Sequence, residues 1–168
     1  MIGYVPQKAF LFSGTIADNL RHGKKDATDL EMHHAAAIVQ NDSVIREHKK
    51  GLDAPVSQGG GNFSGGQKQR LSIARAVIKE PDIFLFDDSF SALDFKTDAK
   101  LRKALKQEVK MSAVIIVAQR ISTITDADQI IVLDEGRIVG KGTHETLMAD
   151  CSVYQNIAQS QLSQEESA

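Results

Sequence analysis

Residues 63–67, Phe-Ser-Gly-Gly-Gln, and residues 82–90, Asp-Ile-Phe-Leu-Phe-Asp-Asp-Ser-Phe, hold the residue types best suited to handling phosphate. Ser64 and Gln67 stand at the S-x-x-Q spacing of a capping box, so a helix is expected to begin at Gly65 with Ser64 as its cap. Gly65 and Gly66 let a ligand or another backbone approach the free amides, where the positive end of the helix dipole favours an anion. Taken alone, the same residues also describe a plain capped helix after a flexible loop. Asp87 and Asp88 end an apolar run, a costly place for two charges unless something cationic meets them. A magnesium ion held largely through water by Asp87 would meet that need. A helix cap or an arginine pair is the structural alternative. Ser91 and Asp94 add polar groups to the same loop.

The elements that must position these residues are of two kinds. From Ser13 to about Lys50 the signals are helical: Ser13 and Thr15 are candidate N-caps, Thr28 with Glu31 spells a capping box, and Gly51 is placed to stop the next short helix. After the glycine-rich stretch 58–67, Leu71, Ala74, Val77 and Ile78 share one helical face until Pro81. Beyond Pro81 the pattern is α/β. Ile83–Phe86 reads as a strand apolar on both faces, and residues 96–109 as a helix with Leu101, Leu105 and Val109 inward. Residues 113–118 read as a second buried strand and 129–133 as a third. Continuous apolar strands alternating with helices imply a parallel sheet covered on both sides, with ligands beyond the carboxyl ends of its strands. Asp87, Asp88 and Gln119 lie at such ends.

The 168 residues suffice for one domain, and 42% hydrophobic with 25% charged residues describes a globular chain. A net charge of -2 does not recommend nucleic acid as a partner. The longest apolar run, residues 113–118, is far short of the about 20 residues that span a membrane. Any membrane role is therefore expected to come through another segment or subunit. The single Cys151 excludes an internal disulfide. His33 and His34 point to different helix faces and are expected to be solvated, not metal ligands.

Four stretches together carry a family resemblance over about residues 2–148. Gln7 within Tyr-Val-Pro-Gln, the run FSGGQKQRLSIARA, the run FLFDDSFSALD, and IIVAQRIST resemble, in order and spacing, the Q-loop, signature motif, Walker B with D-loop, and switch region of ABC transporter nucleotide-binding domains. The run QKAFLFSGTIADNL resembles the exporter branch. The resemblance implies an α/β fold: a truncated RecA-like P-loop NTPase core with a parallel sheet, plus an α-helical subdomain. It places a partial nucleotide-binding domain at 1–158, with the helical subdomain at about 8–80 and the RecA-like portion at about 81–158. A disordered tail is expected at 159–168.

The same resemblance implies ATP and Mg2+ as cofactors. Asp87 and Gln7 would hold the metal, with Gln7 also coupling to transmembrane domains. Ser64, Gly65, Gly66 and Gln67 would meet the γ-phosphate of an ATP held mainly by a second nucleotide-binding domain. Asp94 would sit at that dimer interface near the attacking water, and Asp88 and Gln119 would occupy the catalytic base and switch positions. The implied location is the cytoplasmic face of the cell membrane, reached through a transmembrane partner or an N-terminal segment not in these residues.

Three departures from the family pattern shape the expected role. No G-x-x-x-x-G-K-[ST] run is present. Residues 136–142, Gly-Arg-Ile-Val-Gly-Lys-Gly, are a near miss that reads, with Asp134 and Glu135, as a hairpin. Without the P-loop amides and lysine, this chain alone is expected to bind MgATP poorly and to be inactive. A strand lost with the P-loop would leave a sheet edge and core surface exposed. Asp88 stands where hydrolysing members carry Glu, and Gln119 where they carry the switch histidine. The pair resembles the degenerate site of a heterodimeric exporter, in which this chain contributes its signature motif to the partner's ATP site. Gln58, where many exporters carry Glu before the signature, points the same way. The competing reading is a non-transport regulatory or assembly module that keeps the dimer surface without catalysis. The transported substrate is not encoded in these residues.

Overall fold

Ile2–Val5 forms strand β1, which lies parallel to β4 (Ile83–Asp87), itself parallel to β5 (Ala113–Val117), giving a three-stranded sheet in the order β1-β4-β5. The computed structural model describes residues 1–109 and 111–165, with side chains to residue 161. Between β1 and β4 lie β2 (Gly14–Thr15), α1 (Ile16–Arg21), α2 (Asp29–Ile38), α3 (Asp42–Glu47), β3 (Pro55–Val56) and α4 (Gly65–Val77). β2 and β3 pair antiparallel. Helix α5 (Phe95–Glu108) connects β4 to β5. By packing, the chain divides into two compact units, Met1–Val117 and Ala118–Ala168, a boundary well beyond the change of character read near residue 81.

In the first unit the helices and the sheet share one core. Phe84, Phe86 and Val5 of the sheet are buried in the same cluster as Leu71 and Ile73 of α4, Met32 and Ala36 of α2, and Leu101 and Leu105 of α5. The helix starts follow the sequence closely. Thr28 and Glu31 close a reciprocal capping box at α2. Thr15, not Ser13, caps α1, because its hydroxyl is the one that accepts from the Asp18 amide. Helix α4 ends at Val77, short of Pro81, and the intervening turn takes Glu80 through a left-handed φ of 49°. Gly51, expected to stop α3, instead opens a 3-10 turn, while α3 stops at Glu47.

Two strand expectations need correction. β5 was expected to be buried, yet Val114, Ile115 and Val117 are 40%, 53% and 52% exposed. It is the outer strand of its sheet, so one edge of its backbone has no ladder partner there, and of its side chains Ile116 packs against the core. The apolar segment at 129–133 was expected as a third strand of the parallel sheet. It forms β6 (Ile130–Asp134), which pairs antiparallel with β7 (Arg137–Gly142) in a hairpin of its own. Glu135 and Gly136 take φ of 44° and 75° at its turn, the two positive values that a type I′ connection requires, and this local closure joins the strands within two residues.

The second unit is completed by α6 (His144–Asp150) and α7 (Ser152–Glu165), which bury Leu147, Cys151, Tyr154 and Ala158 against Ile130 and Val132. α7 runs on through Glu165, so residues 159–165, read from sequence as part of a disordered tail, are helical; the remaining expected tail, 166–168, lies outside the described residues. No helix among the described residues is long and apolar enough to cross a membrane.

The α2 cap carries a pH prediction. Hydrogen bonds from Lys24, then from the backbone and hydroxyl of Thr28, hold the Glu31 carboxyl down to about 2, below its ordinary 4.5. A carboxylate depressed in the folded state stabilises above its ordinary value and loses that contribution as pH falls toward the folded one. Thermal melts should therefore show stability dropping between about pH 4.5 and 2. A Glu31→Gln variant should show a shallower drop across that window, and superimposable profiles would count against the cap as its cause.

Candidate functional site

The parallel register of the sheet sets Ile2 opposite Ile83 and Val5 opposite Phe86, which brings the ends of β1 and β4 out together. β4 must be apolar to cross the core, and it turns polar only where it leaves. Asp87 closes the strand half-buried, and Asp88 follows at a left-handed φ of 44°, a conformation that aspartate tolerates better than most residues. The turn is held on both sides: the Asp88 amide donates to the Val117 carbonyl at 2.8 Å, and the Ser91 hydroxyl donates to the Asp88 carbonyl at 2.8 Å. Ser89, fully buried, donates its hydroxyl to the Val5 carbonyl at 2.9 Å and so ties the turn to β1.

Three of the residues expected at the site meet here. Gln7, just past β1, donates from Nε2 to Asp88 Oδ2 at 3.2 Å. Asp87 Oδ2 accepts from the Tyr4 hydroxyl at 3.1 Å. That hydrogen bond is the main reason the Tyr4 phenol holds its proton more tightly than usual. Gln69 was missed by sequence reasoning. It is buried on α4 and donates to the Pro6 carbonyl at 3.2 Å, fixing the Gln7 loop to the helix that carries the glycines. A polar residue on the buried face of an otherwise amphipathic helix was the available signal for it.

The second cluster is the start of α4. Ser64 Oγ accepts from the Gln67 amide at 3.2 Å, and the Gln67 side-chain oxygen accepts from the Ser64 amide at 2.9 Å, closing the expected capping box with Gly65 as the first helical residue. This reciprocal bonding leaves the amides of Gly65 and Gly66 at the positive end of a 13-residue helix. A Cβ at Gly65 would meet nothing within 4 Å outside its chain neighbours and its own helix backbone, whereas one at Gly66 would touch Leu93 and the Ala92 carbonyl at 3.6 and 3.7 Å. The helix start is thus open on one side and backed by the 92–94 turn on the other. Asp94 ends that turn as the N-cap of α5, accepting from the Thr97 amide at 2.9 Å. Hydrogen bonds from the side chain and then the backbone of Thr97 hold its carboxyl below the usual range. Arg70, one turn along α4 from Gln67, carries its charge toward Asp94, and its Nε donates to the buried Asn41 at 3.3 Å.

Gln119 belongs to the other unit. It is exposed two residues beyond β5, and its carbonyl accepts from the Gln161 side chain at 2.6 Å. The run 136–142 forms the turn and second strand of the hairpin, as read from sequence, with Asp134 ending β6 and Glu135 in its turn.

The donors near β4 suit one kind of ion. Asp87, Asp88 and Gln7 offer only hard oxygens, and among the described residues no three His, Cys, Asp or Glu come together to hold a metal by themselves. Magnesium fits such a set, since it is bound through one or two carboxylates together with water and phosphate oxygens rather than by an all-protein cage. Asp87, with Gln7, would hold it, and the chemistry supplied there would be neutralisation of phosphate charge.

Comparison with known proteins bears on the family of the chain. A family model described as ABC transporter matches residues 1–91. An uncharacterized ABC transporter ATP-binding protein of Mycobacterium tuberculosis is 53% identical over 163 residues, covering 95% of this chain and 28% of that protein. An uncharacterized ABC transporter ATP-binding protein of Bacillus subtilis is 45% identical over 166 residues, covering 99% of this chain and 29% of its own length. The solved structure of a bacterial Atm1-family ABC exporter with ATP bound superposes with a TM-score of 0.92 at 36% identity, over 96% of this chain and 28% of that one. The chain therefore spans less than a third of the length of the relatives it matches.

Proposed function

Because the chain belongs to the ABC transporter family, we propose that it is part of the ATP-binding portion of an exporter, presenting the start of α4 to an ATP held mainly by a second nucleotide-binding domain. The observation that carries this reading is the open side of Gly65. The helix start is capped from within, backed by the 92–94 turn, and faces nothing in its own chain where a phosphate would approach. Anions are favoured there by free amides and by the helix dipole together.

The chain's own acids serve a second, slower site. Asp87, held by Tyr4, is the metal carboxylate; Asp88, held by Gln7, takes the place of the base that activates water. Asp88 is about 1.5 Å shorter than the glutamate of hydrolysing relatives, and a misplacement of about 1 Å costs on the order of 100-fold in rate. Gln119 can donate a hydrogen bond to a phosphate oxygen but cannot carry charge. The partner is a different subunit with a competent P-loop, which makes the assembly a heterodimer joined to transmembrane domains at the cytoplasmic face of the membrane. ATP binding by the pair closes the dimer, and hydrolysis at the partner's P-loop drives transport.

Titration with fluorescent MgATP tests the nucleotide part of the proposal. The chain by itself should show no saturable binding into the millimolar range, because its 168 residues carry no P-loop lysine or phosphate cradle. Mixed with a P-loop-bearing partner domain, it should sediment as a heterodimer only when ATP is present. Tight binding by the chain alone, or association indifferent to ATP, would sink the reading.

A further inference from the structure

We propose that Tyr4 is a positioning residue that makes Asp87 select Mg2+ over larger divalent cations, by engaging one of its two carboxylate oxygens. The inference deepens the reading of Asp87 as the metal carboxylate and rests on it.

The geometry follows from the register. Tyr4 on β1 sits opposite Leu85 on β4, and Asp87 lies two residues beyond Leu85. Side chains two apart on a strand share a face, so Tyr4 and Asp87 are diagonal neighbours on one side of the sheet. A tyrosine is long enough to span that diagonal, and its hydroxyl reaches Asp87 Oδ2 at 3.1 Å. A phenylalanine or leucine at position 4 would lie over the same strand without a donor.

Packing does not account for this tyrosine. Its side chain is on the exposed side of β1, and the residue is 52% exposed, while Gly3 and Val5 face inward. What it does instead is donate to Asp87, alongside a second donor from the same strand end, Gln7 Nε2 on Asp88 Oδ2 at 3.2 Å. Each of the two adjacent acids thus has one oxygen engaged by a neutral donor, Tyr4 on β1 and Gln7 just past it.

The chemical consequence concerns how Asp87 can coordinate. With Oδ2 accepting from the phenol, Oδ1 is the less engaged oxygen toward a cation or its water. Magnesium demands near-ideal octahedral geometry and takes carboxylates through a single oxygen, whereas calcium accepts six to eight ligands and readily takes both oxygens of one carboxylate. The Tyr4 hydrogen bond therefore favours the smaller ion by making a bidentate mode costlier for the larger one.

The test is equilibrium binding of a fluorescent ATP analogue to the assembled transporter containing the polypeptide that carries this chain, measured in Mg2+, in Ca2+ and without metal. Unaltered protein, Tyr4→Phe and Asp87→Asn are compared, the last identifying which share of metal-dependent binding belongs to this site. Tyr4→Phe should lower the Mg2+-to-Ca2+ preference of that share by about 3- to 10-fold, the worth of one hydrogen bond, with metal-free binding and melting temperature unchanged. A preference within about twofold of the unaltered protein would overturn the role of Tyr4 alone. If Asp87→Asn leaves metal-dependent binding intact, the assignment of Asp87 falls as well.

Discussion

Replacing Gly65 with aspartate should cut ATP turnover by the assembled transporter by at least about 100-fold while leaving this chain folded. Both halves of that expectation come from the same position. A side chain at residue 65 enters open space, so no packing is lost. Residue 65 is also the first helical residue after the Ser64 cap, where a carboxylate interacts favourably with the helix dipole. The substitution is thus neutral or mildly stabilising for the helix. Its charge, however, lies where the γ-phosphate of the partner's ATP must come. Losing a single donor that stabilises developing charge costs about 10²–10³ in rate, and a like charge in its place adds repulsion. The measurements are steady-state phosphate release and a thermal melt. Turnover within about tenfold of the unaltered protein, with normal melting, would show that the start of α4 meets no phosphate.

The second large effect is a gain. Asp88→Glu combined with Gln119→His should raise hydrolysis at this chain's own site by about 10- to 100-fold, read by single-turnover assays with the partner's site silenced. The longer glutamate carries its carboxylate past the present Gln7 contact by roughly the length of one methylene, about 1.5 Å. The histidine supplies a ring nitrogen that can take up charge where Gln119 cannot. The backbone at position 88 has a φ of 44°, where aspartate is at home and glutamate is less so, and the change should cost no more than about 1 kcal/mol of stability. If the double variant gains no hydrolysis, the geometry at these two positions is not what limits the site.

The parts of this site that could be read in the sequence are those governed by local rules. The Ser64–Gln67 box depends only on residues three apart, and it closed as spelled. The hairpin that disposes of the Gly136–Gly142 near miss follows from a two-residue turn, Glu135 and Gly136, at positive φ. The inward face of α5 came from helical spacing, and Leu101 and Leu105 are buried as that spacing required. Tyr4 and Ser89 were not legible in this way. Their partners, Asp87 and Val5, lie more than 80 residues away in sequence and are set by the pairing of β1 with β4.

Burial of the strands marks the division most clearly. The sequence of 113–117 determined that these residues would be a strand, because an uncharged β-branched run has little else to become. Whether that strand lay inside or at an edge was decided only in three dimensions, by which neighbours the chain supplies, and β5 has β4 alone in its sheet. In the same way the sequence by itself singled out the candidates for phosphate chemistry: Gly65 and Gly66 with their Ser64 cap, and the acids at 87 and 88. The tertiary structure decided what each of them faces, since hydrogen bonds between distant segments depend on register and packing. It turned Gly65 toward open space, set Tyr4 on Asp87, and gave Asp88 to Gln7.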